Sequence, residues 1–395
     1  MTHFTPSHRA QDVRSTSLRT LGSPKTGVVA LSKGEPDLDT PRPIVDEMIR
    51  ALNDGWTHYA DQDGDPDLRR AIAQRLTDTS SADYEMENVF ITHGGTSAIT
   101  ATFLTIVNPG DAIVLADPTY SLYADDIALC GGRAVRVEAE PGREMEAIEA
   151  LAAAAIEHSA PLLVLCNPVN PNGAVLSRDE LERLAELLEG TDTLVLADEA
   201  YRSYSYTDRF CSAMAIPGLS ERLILCQTFS KTFAMTGWRI GYTAARNREF
   251  MTTFGFIHRT LTGAINTAVQ KAAIVALSIE DETAADMLPI YAARRQRVLD
   301  ELGTIPGVTC LPPDASFYVF FAYDFPMDSA RLRRTLIDDY GVELRAGSEY
   351  GPHGEHHLRI SYTYDDATLA EGLSRLRAGL TELRRRCIPA AVPAE

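Results

Sequence analysis

The 395-residue chain is poor in several features that mark other protein classes. Cysteine is sparse: Cys130, Cys166, Cys211, Cys226, Cys310 and Cys387 are scattered, with no CxxC pair and no His/Cys spacing suited to zinc. Neither a disulfide scaffold nor a metal site is expected, and reduced thiols fit a cytoplasmic protein. Long apolar runs are missing. No stretch approaches the roughly 18 residues a membrane helix needs, and the first twenty residues lack the apolar core of a signal peptide, so no membrane association is expected. Positive charge is short too: 37 Lys and Arg against 55 Asp and Glu leave a formal net charge of −18. The basic runs at Arg294–Arg297, Arg331–Arg334 and Arg384–Arg386 are brief, have acids nearby and read as solvated helix faces, so no nucleic-acid partner is expected. Internal repeats and low-complexity linkers are also absent.

What is present is an ordinary globular composition, 45% hydrophobic and 23% charged, long enough for about two domains. Residues 1 to about 26 are polar and without sustained period, an arm or a short helix with loose ends. From Asp67 onward helical and strand patterns alternate. Helices are expected near 68–76, 97–107, 145–155 and 178–188, and strands near 111–116, 133–138, 162–166, 193–197 and 223–227. The strand runs are short, rich in Val, Ile and Leu, and do not alternate. That is the texture of strands covered on both faces, so an α/β fold is expected, with a mostly parallel sheet in three layers between helices. Beyond about Glu280 the pattern shifts to a long helix (287–302), the strand FYVFF (317–321), a helix near 330–340, the strand LRISY (358–362) and a last helix near 368–386. These divide the chain into 1–49, an arm and part of a small domain; 50–280, a large domain; and 281–395, a smaller α/β domain.

The most informative stretch is TFSKTFAMTGWRIGY, Thr228 to Tyr242. Lysine is rarely buried without a partner, and Lys231 follows a buried strand, between Ser230 and Thr232 and eight residues before Arg239. A desolvated lysine loses its proton readily and attacks carbonyl carbon, whereas Ser230 and the planar fork of Arg239 suit a phosphate. The bland alternative is a solvated loop. Asp198 closes the strand TLVLA, as a helix N-cap or as partner to a cationic ring nitrogen, with Tyr201 three residues on to donate to an oxygen of the same ring. NPVNPNG, Asn167 to Gly173, is a plain turn or a rigid loop that presents Asn170. ITHGGTSA places Gly95, Thr96 and Ser97 at a helix start, where free N–H groups attract an anion but Ser and Thr are also default caps. A lysine nucleophile, a phosphate cradle, a carboxylate for a ring nitrogen and donors for a ring oxygen together match the needs of pyridoxal 5'-phosphate.

The chain resembles the class I and II aminotransferases of the aspartate aminotransferase fold, the fold type I pyridoxal-phosphate enzymes. LSKGEPDLDTP (31–41), THYADQDGDPDLR (57–69), THGGTSA, ADPTYSLY (116–123), NPVNPNG, ADEAY, SKTFAMTGWRIGY and HLRISY (357–362) follow the family's order over nearly the whole chain. The resemblance implies that Lys231 holds the cofactor as an internal aldimine and shuttles a proton. Asp198 pairs with the ring nitrogen, and Asn170 and Tyr201 contact the ring hydroxyl. Gly95, Thr96, Ser230 and Arg239 hold the phosphate, and Tyr120 stacks on the ring. It further implies that Tyr59 reaches the phosphate of a neighbouring subunit in a homodimer with shared active sites, and that Arg359, beside the Gly34 backbone, grips the α-carboxylate of the L-amino acid and 2-oxo acid substrates.

Departures from the family pattern are Asn172 where Thr is usual, Ala346 where Pro is commoner, and Thr96 where enzymes acting on dicarboxylic amino acids carry lysine. The last lowers the expectation of an aspartate-specific enzyme. Lys33, beside Gly34, is a solvated loop lysine or a side-chain recognition residue. A pyridoxal-phosphate lyase, synthase or oxidase on the same scaffold is the alternative reading. A regulatory protein built on the fold would need an added DNA-binding domain, which the acidic balance argues against.

Overall fold

The computed structural model describes residues 4–17 and 26–388; parts of the expected N-terminal arm (1–3 and 18–25) and the end of the C-terminal unit (389–395) lie outside the described residues. Seven strands form one sheet in the order Val89–Thr92, Gly241–Ala245, Leu223–Thr228, Leu194–Asp198, Leu162–Cys166, Ala112–Asp117, Arg133–Glu138. Pairing is parallel from Leu223–Thr228 through Arg133–Glu138, and Gly241–Ala245 is antiparallel to both its neighbours. Every residue of Leu162–Cys166 and Leu223–Thr228 is buried, as the unbroken apolar runs require, whereas the edge strand Arg133–Glu138 is half-exposed and ends in charges.

Helices cover both faces. Leu68, Ile72 and Leu76 of helix Pro66–Thr79, with Leu181, Leu184 and Ala273, pack on one side; Ala98, Phe103, Ile127 and Phe254 pack on the other. The helix Pro66–Thr79 starts where it does because the Asp65 side chain accepts from the N–H groups of Asp67 and Leu68 and Pro66 occupies the first turn. The N-terminal helix His8–Thr16, capped by Ser7, lies against helix Leu122–Cys130.

A second, four-stranded antiparallel sheet has the order Arg345–Ala346, His357–Ser361, Tyr318–Tyr323, Val308–Thr309, with helices Glu280–Leu302, Ser329–Tyr340 and Asp366–Cys387 around it. Its core contains Tyr291, Phe317, Phe321, Leu336 and Leu376, and also Leu31. The N-terminal segment arrives there through a short strand, Val29–Ala30, paired in parallel with Val342–Glu343; Leu31 N–H then donates to the Glu343 carbonyl at 2.8 Å and its own carbonyl accepts from Ser361 N–H at 2.9 Å.

Six strands (Val29–Ala30, Val89–Thr92, Gly241–Ala245, Val308–Thr309, Val342–Glu343 and Arg345–Ala346) and several helices have no counterpart in the sequence reading. Gly241–Ala245 is GYTAA, too short of β-branched residues to announce itself, and helix Leu122–Cys130 is buried almost all round, so its amphipathic period is lost. Helix Thr267–Ser278 is similarly apolar and alanine-rich.

Candidate active site

The parallel register aligns Cys166 with Asp198 and Asp198 with Cys226, so the loops after these strands open at one end of the sheet. There they face the small sheet across a cavity of about 500 Å³. Gly34, Gly95, Thr96, Tyr120, Asn170, Asp198, Tyr201, Ser230, Lys231, Arg239 and Arg359 all line it. Tyr59 does not: it is 97% exposed, on a separate surface depression with Trp56 and His58.

Lys231 sits in the turn after strand Leu223–Thr228, its backbone carbonyl accepting from the Tyr204 hydroxyl at 2.7 Å. Its Nζ donates to the Gly34 carbonyl at 2.7 Å and stands 5.9 Å from the centre of the Phe317 ring. Burial pushes the ammonium down to about 8, with Glu35 opposing and Arg359 and Arg239 reinforcing. The free amine, the nucleophilic form, is therefore far more accessible near neutral pH than at a solvated lysine, although the ammonium still predominates.

Asp198 ends its strand almost wholly buried. The Tyr123 hydroxyl donates to Oδ2 at 2.8 Å and the Ala200 N–H to Oδ1 at 3.2 Å. Burial raises the carboxyl above its ordinary range, and the Tyr123 bond pulls it back. Its strand neighbours Cys166 and Cys226 are buried thiols pushed up to about 12, so neither competes as a charge.

The anion cradle forms where strand Val89–Thr92 runs into the helix that begins at Gly94. Gly94 has φ +75°, and a Cβ there would lie 2.9 Å from Arg239 Nη2, so glycine lets the guanidinium close on the helix start. Arg239, itself left-handed, donates from Nη1 to the Thr236 carbonyl at 2.9 Å. Thr228 Oγ1 donates to Ser230 Oγ at 2.9 Å, which leaves the Ser230 proton for another acceptor. Ser97 Oγ, on the same helix start, is buried without a hydrogen-bond partner.

Opposite lies Arg359, buried on strand His357–Ser361. Nη1 donates to Asn170 Oδ1 at 2.9 Å and Nη2 to the Ser32 carbonyl at 2.7 Å, while the guanidinium lies 3.9 Å from the centre of the Tyr318 ring. Its Nε has no hydrogen-bond partner. Asn170 is presented by a loop braced through Asn167, whose side chain donates to the Cys211 carbonyl and accepts from Leu176 N–H, each at 2.9 Å.

The sequence reading did not single out four further residues: Tyr318 and Tyr350 line the cavity, Tyr123 bonds to Asp198, and Glu35 contacts Lys33 and Thr236. The Tyr318 hydroxyl meets that of Tyr201 at 3.0 Å, and a side chain on Gly34 would collide with it. Lys33 is 73% exposed and ion-pairs with Glu35, which also accepts a hydrogen bond from Thr236. Tyr123 is the one with a usable signal, three residues past Tyr120 in ADPTYSLY.

The family model for aminotransferase class I and II matches residues 26–376. An aspartate aminotransferase of Pyrococcus horikoshii is 32% identical over 356 residues, 89% of this chain and 90% of that one. An arginine–pyruvate transaminase of Pseudomonas aeruginosa is 32% identical over 359 residues, 90% of this chain and 91% of that one. Among solved structures, the aromatic aminotransferase of P. horikoshii superposes with a TM-score of 0.87 at 29% identity, covering 96% of this chain and all of that one. The seven-stranded sheet, the cavity at its strand ends and these likenesses agree, and the chain belongs to the class I and II aminotransferases, a transaminase of the aspartate aminotransferase fold.

Proposed function

We propose that the cavity takes pyridoxal 5'-phosphate, with Lys231 holding it covalently through Nζ, and that the enzyme moves the amino group of an L-amino acid to a 2-oxo acid. The observation that carries this is the convergence of a lysine of depressed proton affinity, a buried carboxylate and an anion cradle on one cavity. The donor set fits the group. Gly95, Thr96, Ser230 and Arg239 would hold the phosphate, Asp198 the ring nitrogen and Asn170 and Tyr201 the ring hydroxyl, with Tyr120 against the ring face. When bound, the cofactor supplies an electron sink for charge developing at the substrate α-carbon.

The remaining work falls to side chains. Arg359 offers a substrate carboxylate its planar fork, with Nε unused and only one N–H each of Nη1 and Nη2 engaged, by Asn170 and the Ser32 carbonyl. The Lys231 amine, steered by the Gly34 carbonyl, takes and returns the α-proton as general base and acid. Asp198, which the Tyr123 hydroxyl favours as carboxylate against the upward push of burial, would keep a facing ring nitrogen protonated. Relatives act on aspartate, aromatic residues and arginine by their names, so the donor is a matter for assay; Thr96 argues against strict aspartate specificity.

A homodimer with shared sites belongs to the same proposal. Tyr59 is almost wholly exposed beside Trp56, and Ile49 and Leu52 of helix Arg42–Asn53 are exposed as well, apolar surface suited to a second copy. Mixing inactive Lys231→Ala with impaired Tyr59→Phe subunits restores activity if sites are shared, and a fully active monomer by sedimentation refutes it. The units 1–49, 50–280 and 281–395 and a cytoplasmic location complete the reading, the latter supported by six free thiols. No helix among the described residues is long and apolar enough to cross a membrane.

The test of the whole is to reduce the loaded enzyme with borohydride and map the labelled peptide, then to follow cofactor absorbance against a panel of amino acids. Label on Lys231, and absorbance lost to a donor and restored by a 2-oxo acid, is the expected result. Label on another lysine, or no restoration by any oxo acid, overturns it.

A further inference from the structure

One side chain touches both the groups proposed for the cofactor ring and the proposed carboxylate grip, and the chemistry above gives it no task. Tyr318 opens strand Tyr318–Tyr323 and is 2% exposed, yet it lines the cavity. The Arg359 guanidinium lies 3.9 Å from its ring centre, with the Tyr350 ring at 5.1 Å as a second aromatic neighbour. At the far end of the Tyr318 ring the hydroxyl meets that of Tyr201 at 3.0 Å, and it packs so close to Gly34 that any side chain there would overlap it. Edge contacts from Phe317 and Tyr201, 4.9 and 5.6 Å between ring centres, fix the orientation of the ring.

We propose that Tyr318 is a positioning residue with two separable handles. Its ring face holds the Arg359 guanidinium in place for a substrate carboxylate, and its hydroxyl, donating to Tyr201, leaves the Tyr201 proton for the oxygen of the bound cofactor's ring. The inference rests on the readings of Arg359 as the carboxylate site and of Tyr201 as the donor to that oxygen.

The hydroxyl handle is a matter of donor count. A phenol has one proton and can donate and accept at once, and only one of two facing hydroxyls donates along their shared contact. Were Tyr201 the donor, its proton would be spent on Tyr318 and none would be left for the cofactor. With Tyr318 donating, Tyr201 accepts, keeps its proton for the cavity and becomes the stronger donor for accepting. The Tyr318 proton has no other acceptor among the described residues. The ring handle works through geometry. A guanidinium carries its N–H groups in its plane, so an aromatic face can hold it by the cation–π attraction without occupying a donor. Arg359 has only Asn170 and the Ser32 carbonyl as in-plane anchors, and the Tyr318 ring adds a contact that leaves the remaining N–H groups for a carboxylate. A phenylalanine at this position keeps the ring handle and lacks the hydroxyl; an aliphatic residue lacks both.

The experiment takes two readings on holoenzyme. One is Kd for 3-phenylpropionate, an unreactive carboxylate, by calorimetry at one fixed pH; the other is the pH midpoint of the bound cofactor's absorbance without substrate. Tyr318→Phe and Tyr318→Leu are compared with wild type and with Tyr201→Phe and Arg359→Lys as references, melting temperature and cofactor occupancy being followed alongside. A hydrogen bond donated to the ring oxygen favours its ionised form, so weakening that bond moves the midpoint upward. Tyr318→Phe is expected to leave Kd within about twofold and to raise the midpoint by about half a pH unit, roughly threefold in proton affinity. Tyr318→Leu is expected to give the same shift and to weaken carboxylate binding roughly fivefold as well; should it prove unfolded, Tyr318→Met carries the same arm. Equal loss of carboxylate binding in the Phe and Leu variants, an unmoved midpoint in Tyr318→Phe, or losses that track melting or occupancy overturn the inference. If Tyr201→Phe leaves the midpoint or Arg359→Lys leaves Kd unchanged, the underlying reading of that residue fails and takes the matching handle with it. If both references respond and the Tyr318 variants do not, only the role of Tyr318 falls.

Discussion

The two walls of the cavity are assembled differently. On the large sheet, the polar groups sit at or near strand ends and are braced mostly from nearby, Ala200 N–H on Asp198, Thr228 on Ser230 and Arg239 on the Thr236 carbonyl, with the Tyr123 hydroxyl on Asp198, 75 positions away, the exception. On the facing wall, Arg359 depends on Asn170 and Ser32, partners 189 and 327 positions away, and Gly34 is brought to Lys231 across 197. The first wall is set by local turns on a rigid sheet. The second exists only when three distant parts of the chain are docked together. Chemistry is therefore expected on the first wall and substrate affinity on the second.

The strongest test of that division is Lys231→Ala. Covalent attachment of the cofactor is lost and kcat falls by roughly 10⁴ or more, the upper range for removing a general base, while circular dichroism stays native; retention of a borohydride-stable label would break the assignment. The same lysine offers a pH test in apoenzyme. With its ammonium held at about 8 by burial, the amine form grows as pH rises through that value, so modification by a dilute acylating reagent at Lys231 should level off near pH 9 to 10 while surface lysines, near 10.4, are still gaining. Peptide mass spectrometry reads both.

Asp198→Ala comes next, with kcat reduced roughly 10²- to 10³-fold, the scale of losing one preorganised electrostatic contact, and cofactor retention much less affected. Stopped-flow turnover and equilibrium dialysis separate the two, and a near-normal rate with a good donor would remove Asp198 from the first wall's chemistry. On the second wall, Arg359→Lys is expected to raise KM about tenfold for amino acid and oxo acid alike, since a point charge cannot reproduce a two-pronged contact. A fall in kcat with KM unchanged would erase the distinction between the walls. The smallest effect is Lys33→Ala. Its exposed ion pair with Glu35 is worth under about 1 kcal/mol, so steady-state constants should move less than about fivefold, unless selectivity among donor side chains shifts, which would make it a recognition residue.

Legibility in the sequence follows the same split. The strands Leu162–Cys166, Leu194–Asp198 and Leu223–Thr228 are readable because burial leaves apolar runs, Asp198 because it ends one, and Asn170 and Lys231 because they follow one within a few residues. Tyr318 and Tyr350 are not. Each looks like an ordinary aromatic of a strand or turn, and only docking across the cleft brings them onto Arg359. Glu35 lay inside a quoted motif, yet its bond to Thr236 spans 201 positions and no local pattern announces it. Tyr59 was legible only through resemblance; the fold of a single chain leaves it facing outward.

The pairing of Val29–Ala30 with Val342–Glu343 also sets a schedule for the ribosome. Domains generally fold as they emerge, N-terminal parts first, and by the time Arg239 has been added every group proposed for the cofactor within one chain is already present. The segment carrying Gly34 has no strand to join until Val342 has been made, and the carboxylate grip waits for Arg359. A nascent chain can thus present every group proposed for the cofactor wall while strand Val29–Ala30 is still unpaired, and the proposed substrate wall closes only once Arg359 has been made.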